Sequence, residues 1–199
     1  MVDLAVRFVK NNRIEGSYLE FGVWRGSTFA QFYHTLRRHG VRARMYAFDS
    51  FAGLPEPRGL DAPPGHEPFR AGQFSCSERE FIAALRGRRV PEDTYAIVPG
   101  FYDRTLRPEL AGQLGLGRAA LIWIDSVLYE SAKPVLNFVA PLLQDGTILM
   151  FNDFFRFRGS PTKGERKAFD EFRHEHPEIA ITDYAKFGSV GQAFIIHTG

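Results

Sequence analysis

Side chains that could do chemistry recur directly after short apolar runs in this 199-residue chain. Glu20, Gly22 and Gly26 come at the end of the first run, and Asp49 with Ser50 at the end of the second. Gly100 ends the third, Asp125 with Ser126 the fourth, and Asn152 with Asp153 the fifth. One acid in such a place is commonly a turn former or a helix cap. Acids, amides and glycines at successive run ends instead suggest one ligand site, because ligands of open α/β sheets bind outside the carboxyl ends of the strands.

The first cluster reads Glu20-x-Gly22-x-x-x-Gly26, which is not the Gly-x-Gly-x-x-Gly of dinucleotide sites. That fingerprint holds a pyrophosphate with glycines and a helix N-terminus. Here an acid stands in the turn, where it would repel phosphate and suit a cationic amino group. S-adenosylmethionine carries an α-ammonium and a sulfonium and no phosphate, so the charge favours it over a nicotinamide dinucleotide. Asp49, about 27 residues after Gly22, is placed to accept from ribose hydroxyls.

Asp125, Asn152 and Asp153 form a second cluster, with oxygen-bearing side chains from two adjacent strand ends. Oxygen-only ligands suit Mg²⁺, Ca²⁺ or Mn²⁺ rather than zinc. A metal there would hold a substrate hydroxyl and lower its pKa. The metal-free alternative makes Asp125 a general base and Asp153 a loop cap.

The elements that must position these groups can be read from the apolar pattern. Strands are expected over about 17–22, 44–48, 95–98, 119–124 and 147–151, with two more at about 179–184 and 190–197. Helices are expected over 3–11, 28–39 with Ser27 as N-cap, 77–87, Leu106–Leu114, 131–143 and 162–175. Ser77-Glu78-Arg79-Glu80 is a capping box. The run Ala119–Ile124 is continuously apolar, as in a strand buried on both faces. Alternating strands and helices predict a Rossmann-like, mostly parallel sheet with helices on both faces, closed by an antiparallel C-terminal hairpin. Residues 52–75, with five prolines and four glycines, lack periodicity and are expected to form a flap beside the pocket.

Bulk properties narrow the function. The length argues for a single domain over 1–199. The hydrophobic content of 44%, with nineteen Phe, is enough for a packed core. A net charge of +2 is small for a nucleic-acid binder, and Arg86-Gly87-Arg88-Arg89 reads as a solvated helix end. The lone Cys76 fits a reducing cytoplasm, no run approaches membrane-span length, and Met1–Phe8 lacks a signal-peptide core. His34, His39, His174, His176 and His197 read as surface or chain-end residues. His66 in the flap is a candidate for touching substrate. Trp24 reads as packing, Tyr129 as core or substrate contact, and Lys163, Arg166 and Lys167 as a solvated helix face.

Four segments together resemble the macrocin O-methyltransferase family. They are Leu19–Ser27 (LEFGVWRGS), Ala47–Pro57 (AFDSFAGLPEP), Pro99–Leu106 (PGFYDRTL) and Ile124–Ser131 (IDSVLYES), the last joined by Asn152-Asp153. The resemblance runs from Tyr18 to about Phe194 and implies a seven-stranded S-adenosylmethionine-dependent fold that uses Mg²⁺. It implies that Glu20 and Gly22 contact the methionine end of the cofactor and that Asp49 and Ser50 bind the ribose. Phe21, Gly26, Ser27, Gly100 and Asp125 complete the expected cofactor site. Asp125 and Asp153 are the expected catalytic acids, and Asp125, Asn152 and Asp153 the expected metal ligands. Two positions depart from the family pattern. Val127 stands where the second acid of Asp-x-Asp-x-Tyr-x-Ser is usual, and Asn152 where the first acid of an Asp-Asp pair is usual; together they are expected to weaken metal affinity or abolish it. The stretch before the first strand is also short, so the substrate is expected to be enclosed by the flap, by a partner subunit or not at all.

The expected activity is methyl transfer to a hydroxyl of a small molecule, with a glycosyl hydroxyl of a natural product as the family default. The expected assembly is a cytoplasmic homo-oligomer, a dimer, with no nucleic acid or membrane partner. Two alternatives stay open: a cofactor-binding module that has lost catalysis and acts through a partner protein, and a nicotinamide-dependent oxidoreductase, which Glu20 disfavours.

Overall fold

The computed structural model describes residues 1–62 and 69–199. Its centre is a seven-stranded sheet in the order β3-β2-β1-β4-β5-β7-β6. The strands are β1 (Ser17–Phe21), β2 (Met45–Asp49), β3 (Tyr95–Pro99), β4 (Ala119–Ile124), β5 (Ile148–Phe151), β6 (Ala180–Phe187) and β7 (Gly191–His197). Pairs among β1 to β5 are parallel, and β7 runs antiparallel between β5 and β6. The doubly wound sheet with its C-terminal hairpin is the expected one.

Strand alternation sorts the core onto two faces. Tyr18, Met45 and Leu121 pack against α1 (Val2–Asn11), α2 (Ser27–His39) and α3 (Glu78–Gly87). On the other face Leu19, Phe21, Phe48 and Ile122 meet α6 (Tyr129–Val139) and α8 (Gly164–Glu175). Short helical turns α4 (Tyr102–Thr105), α5 (Pro108–Gln113) and α7 (Arg156–Gly159) fill the connections. Among the described residues, no helix is long and apolar enough to cross a membrane.

Several boundaries move for physical reasons. Ser27 is the first residue of α2 rather than its cap. Gly26 takes the N-cap in a left-handed conformation, without a side-chain cap bond. The expected helix Leu106–Leu114 is two turns, because Arg107, preceding Pro108, is held extended. The helix expected at 131 begins at Tyr129, because Asp61 from the flap caps it. Its Oδ1 accepts the Tyr129 N–H at 2.9 Å and its Oδ2 the Glu130 N–H at 2.9 Å. The capping box at Ser77 and Glu80 forms as expected.

The described parts of the 52–75 segment are docked on the body. Its base closes through Leu54 N–H to Gln73 O and Gly72 N–H to Leu54 O, both 2.9 Å. Phe69 is buried against Val127 and Leu128, with Leu54 and Phe157 packed beside them. His66 lies outside the described residues.

Candidate active site

Between β1 and β4 the sheet order reverses, and the loops leaving the two strands diverge there. A cavity of about 580 Å³ opens above this point. Its wall includes Gly22, Asp49, Ser50, Gly100, Asp125, Asn152 and Asp153, drawn from the ends of five strands. Glu20, Phe21, Gly26 and Ser27 are not in that wall. Phe21 is a core residue stacked on Phe48, with centroids 4.5 Å apart. Gly26 faces α3, where a Cβ would meet Phe81 at 2.8 Å. Ser27 is exposed on α2.

Gly22 is required by a close approach. Its φ is +88°, and a Cβ there would collide with the carbonyl oxygen of Asp125. The turn after β1 therefore lies directly against the turn after β4, bringing the two halves of the site together. Asp49 fixes the same turn from the other side. Its Oδ2 accepts the N–H of Val23 at 2.9 Å and of Trp24 at 3.1 Å, and its Oδ1 accepts that of Phe51 at 2.8 Å. Ser50 Oγ donates to Gly53 O at 2.7 Å, which starts the flap.

Trp24 is not a packing residue. It is 44% exposed, lines the cavity and has φ +40°. Phe74, 46% exposed and at φ +62°, faces it edge-on from the flap with centroids 6.2 Å apart. Non-glycine residues at positive φ cost about 1–3 kcal/mol each and gather at functional sites.

Glu20 is outside the cavity wall but near enough to Asp125 and Asp49 to feel their charges. It is buried on the α1–α3 face, two residues from Tyr18, whose hydroxyl donates to Glu20 Oε2. Burial raises its pKa well above the usual carboxylate range; the Tyr18 hydrogen bond opposes this, and the charges of Asp125 and Asp49 add to it. Burial likewise raises the Tyr18 phenol well above its usual value.

Asp125 has its pKa raised to about 7, first by burial and then by the adjacent Asp153 charge. Asn152 and the Trp123 indole pull it back down. The Trp123 Nε1–H is buried and meets no acceptor in normal hydrogen-bond geometry among the described residues. A carboxylate with a pKa near neutrality suits a general base.

Glu165 was not anticipated from the sequence. It is fully buried at the start of α8. Its Oε1 accepts the N–H of Ser126 at 2.9 Å and of Val127 at 3.2 Å, and its Oε2 accepts that of Asp153 at 2.9 Å. Burial and the Asp153 charge raise its pKa well above the usual range, against the lowering effect of the backbone donors. Val127 is held at φ +60°, an unusual conformation for a β-branched residue. The local signal was weak: one acid between the basic residues of a helix that reads as solvated. Tyr18 and Glu20 were legible in principle, because residues two apart on a strand share a face.

Among the described residues, no cluster of three or more His, Cys, Asp or Glu side chains could hold a metal. The Asp125–Asn152–Asp153 group offers two carboxylates and one amide.

Known proteins share this architecture and sequence pattern. The O-methyltransferase NovP superposes with a TM-score of 0.80 at 24% identity, over 98% of this chain and 77% of that one. At that identity the likeness establishes the fold. A relative from Streptomyces olivaceus, the 8-demethyl-8-(2,3-dimethoxy-alpha-L-rhamnosyl)-tetracenomycin-C 4'-O-methyltransferase, is 29% identical over 154 residues, 75% of this chain and 57% of its own length. The demethyldecarbamoylnovobiocin O-methyltransferase of Streptomyces niveus is 29% identical over 173 residues, 84% of this chain and 62% of its own length. The chain thus spans less than two thirds of either relative. The sequence profile of the Macrocin-O-methyltransferase (TylF) family matches residues 1–184. The chain belongs to the macrocin O-methyltransferase family.

Proposed function

We propose that this protein transfers a methyl group from S-adenosylmethionine to a hydroxyl of a small molecule, a glycosyl hydroxyl of a natural product. The observation that carries the reading is the single cavity that joins Gly22 and Asp49 at one end to Asp125, Asn152 and Asp153 at the other. Family membership and the names of the Streptomyces relatives support the same reaction and acceptor class.

In this reading Gly22, Asp49, Ser50 and Gly100 form the cofactor half. Gly22 lets the backbone approach the ligand, and the Asp49 carboxylate, fixed by three backbone N–H groups, keeps lone pairs for ribose hydroxyls. Glu20 supports this half from outside the cavity wall, with Tyr18 holding it. Phe21, Gly26 and Ser27 position the turn rather than touch the ligand. When bound, S-adenosylmethionine supplies an electrophilic methyl on a sulfonium, which leaves as the thioether. Asp125 takes the acceptor's hydroxyl proton as the oxygen attacks, and Asp153 holds the acceptor and the charge of the base in place.

The oxygen donors of Asp125, Asn152 and Asp153 fit a hard divalent cation by type, and a cation there would relieve the repulsion that raises Asp125. Mg²⁺ at that place would lower the pKa of a bound hydroxyl. With two carboxylates instead of three, the proposed site is weak, and Asp125 retains the base role in its absence.

Calorimetric titration with S-adenosylmethionine and its demethylated product tests the reading. Saturable binding is expected, and no heat at millimolar ligand would sink it. Binding with no transfer to any hydroxylated acceptor, with or without Mg²⁺, would instead favour a cofactor-binding module.

A further inference from the structure

We infer that Glu165 is a positioning residue for methyl transfer, holding the loops that carry Asp125 and Asp153 at a fixed spacing. The inference rests on the proposed reaction at those two acids. One buried carboxylate spans both loops: Oε1 collects the Ser126 and Val127 N–H groups after β4, and Oε2 the Asp153 N–H after β5. Two of these donors directly follow Asp125 and the third is the N–H of Asp153 itself, so a shift of the Glu165 side chain moves both acids.

The approach of α8 is built for this contact. Gly164, at φ +57°, precedes Glu165, and a Cβ there would meet the Val127 carbonyl oxygen at 2.8 Å and the Phe157 ring at 2.6 Å. The helix start is therefore pressed onto the loop after β4 with no side chain between. That loop carries Val127 in a left-handed conformation that a β-branched residue does not adopt unaided. Backbone N–H groups left there without an acceptor would be buried and unsatisfied. Glu165 supplies the acceptor for both loops together. It is outside the cavity wall, so it acts through the acids and not on the ligand.

The geometry separates Glu165→Gln from Glu165→Ala. Both oxygens of the Glu165 carboxyl group accept, and they keep acceptor capacity when it is protonated; Gln offers one acceptor oxygen, so it serves one loop and presents an amide donor to the other, and Ala serves neither. The test combines amide hydrogen exchange at Ser126, Val127 and Asp153 with steady-state kinetics and cofactor titration. Exchange is expected to quicken at both loops in the Ala variant and at one in the Gln variant. A misplacement of about 1 Å at a reacting group costs on the order of 100-fold in rate. Accordingly kcat should fall about 100-fold for Ala and about 10-fold for Gln, with acceptor KM and cofactor Kd within about 3-fold. If the Ala variant does not fold, Gln and Gly164→Ala, which pushes the helix start off Val127, carry the same comparison. Unchanged exchange, or faster exchange with kcat within about 2-fold of wild type, would overturn the inference. Failure of the proposed reaction reads differently: wild type itself then transfers no methyl group.

Discussion

The carboxylate of Asp49, at the end of β2, accepts the backbone N–H of Val23, in the turn after β1, at 2.9 Å. Two neighbouring parallel strands are thus joined at their carboxyl ends by the side chain proposed to meet a ribose. The acid shapes the glycine turn, and in the proposed function it also presents its remaining lone pairs to the ligand.

Asp49→Ala should therefore weaken cofactor binding by more than a lost ribose contact. Hydrogen bonds to a charged group contribute about 1.5–3 kcal/mol, equivalent to roughly 10- to 150-fold in Kd. Calorimetry with S-adenosylmethionine checks this, and a Kd within about 3-fold of wild type would remove Asp49 from the cofactor half.

Glu20 sets a pH dependence of stability. Its pKa is raised in the fold, mainly by burial, from a starting value of 4.5. The folded protein then binds a proton that the unfolded chain releases, so stability is full below the ordinary glutamate value and is lost as pH rises through the raised one. Glu20→Gln mimics the protonated form and keeps an acceptor for Tyr18. It should melt close to wild type at about pH 4 and above wild type at about pH 8. Thermal melts across that range decide it, and a variant that melts lower at the alkaline end contradicts the assignment.

Asp61 ties the flap to α6. Removing a helix cap costs about 0.5–2 kcal/mol, and for a chain of this size about 2–4 °C in Tm per kcal/mol. Asp61→Ala should lower Tm by roughly 1–8 °C and raise acceptor KM while leaving cofactor Kd unchanged, because the cap bonds the start of α6, just after the Asp125 loop, while Asp49 is held by hydrogen bonds of its own. Differential scanning calorimetry with acceptor titration checks both parts.

The sheet and the strand-end acids were legible because both signals are local. Ala119–Ile124 is apolar throughout and entirely buried, and Asp125 follows it directly. The glycine turn was legible as a turn, but its parts divide in space. Gly22 faces Asp125, whereas Gly26 faces Phe81 of α3, a partner more than fifty residues away that no local pattern reveals. The turn position suggests a ligand contact for Glu20, and strand alternation puts its side chain on the same face as Tyr18, to which it is bonded. Glu165 and Asp61 were missed for one reason: each satisfies backbone N–H groups far along the chain, about 39 residues away for Glu165 and Ser126 and about 68 for Asp61 and Tyr129. Backbone donors leave no mark in a sequence.

Single-turnover transfer of labelled methyl from S-adenosylmethionine to a panel of hydroxylated glycosides measures methyl transfer and the base role of Asp125 together. Wild type should label an acceptor, while Asp125→Asn should lose at least about 100-fold in rate, the scale of general-base catalysis, and bind the cofactor as before. An Asp125→Asn variant that turns over at the wild-type rate would remove Asp125 from the base role, and a wild-type protein that binds cofactor and labels no acceptor would rule out methyl transfer to these hydroxyls.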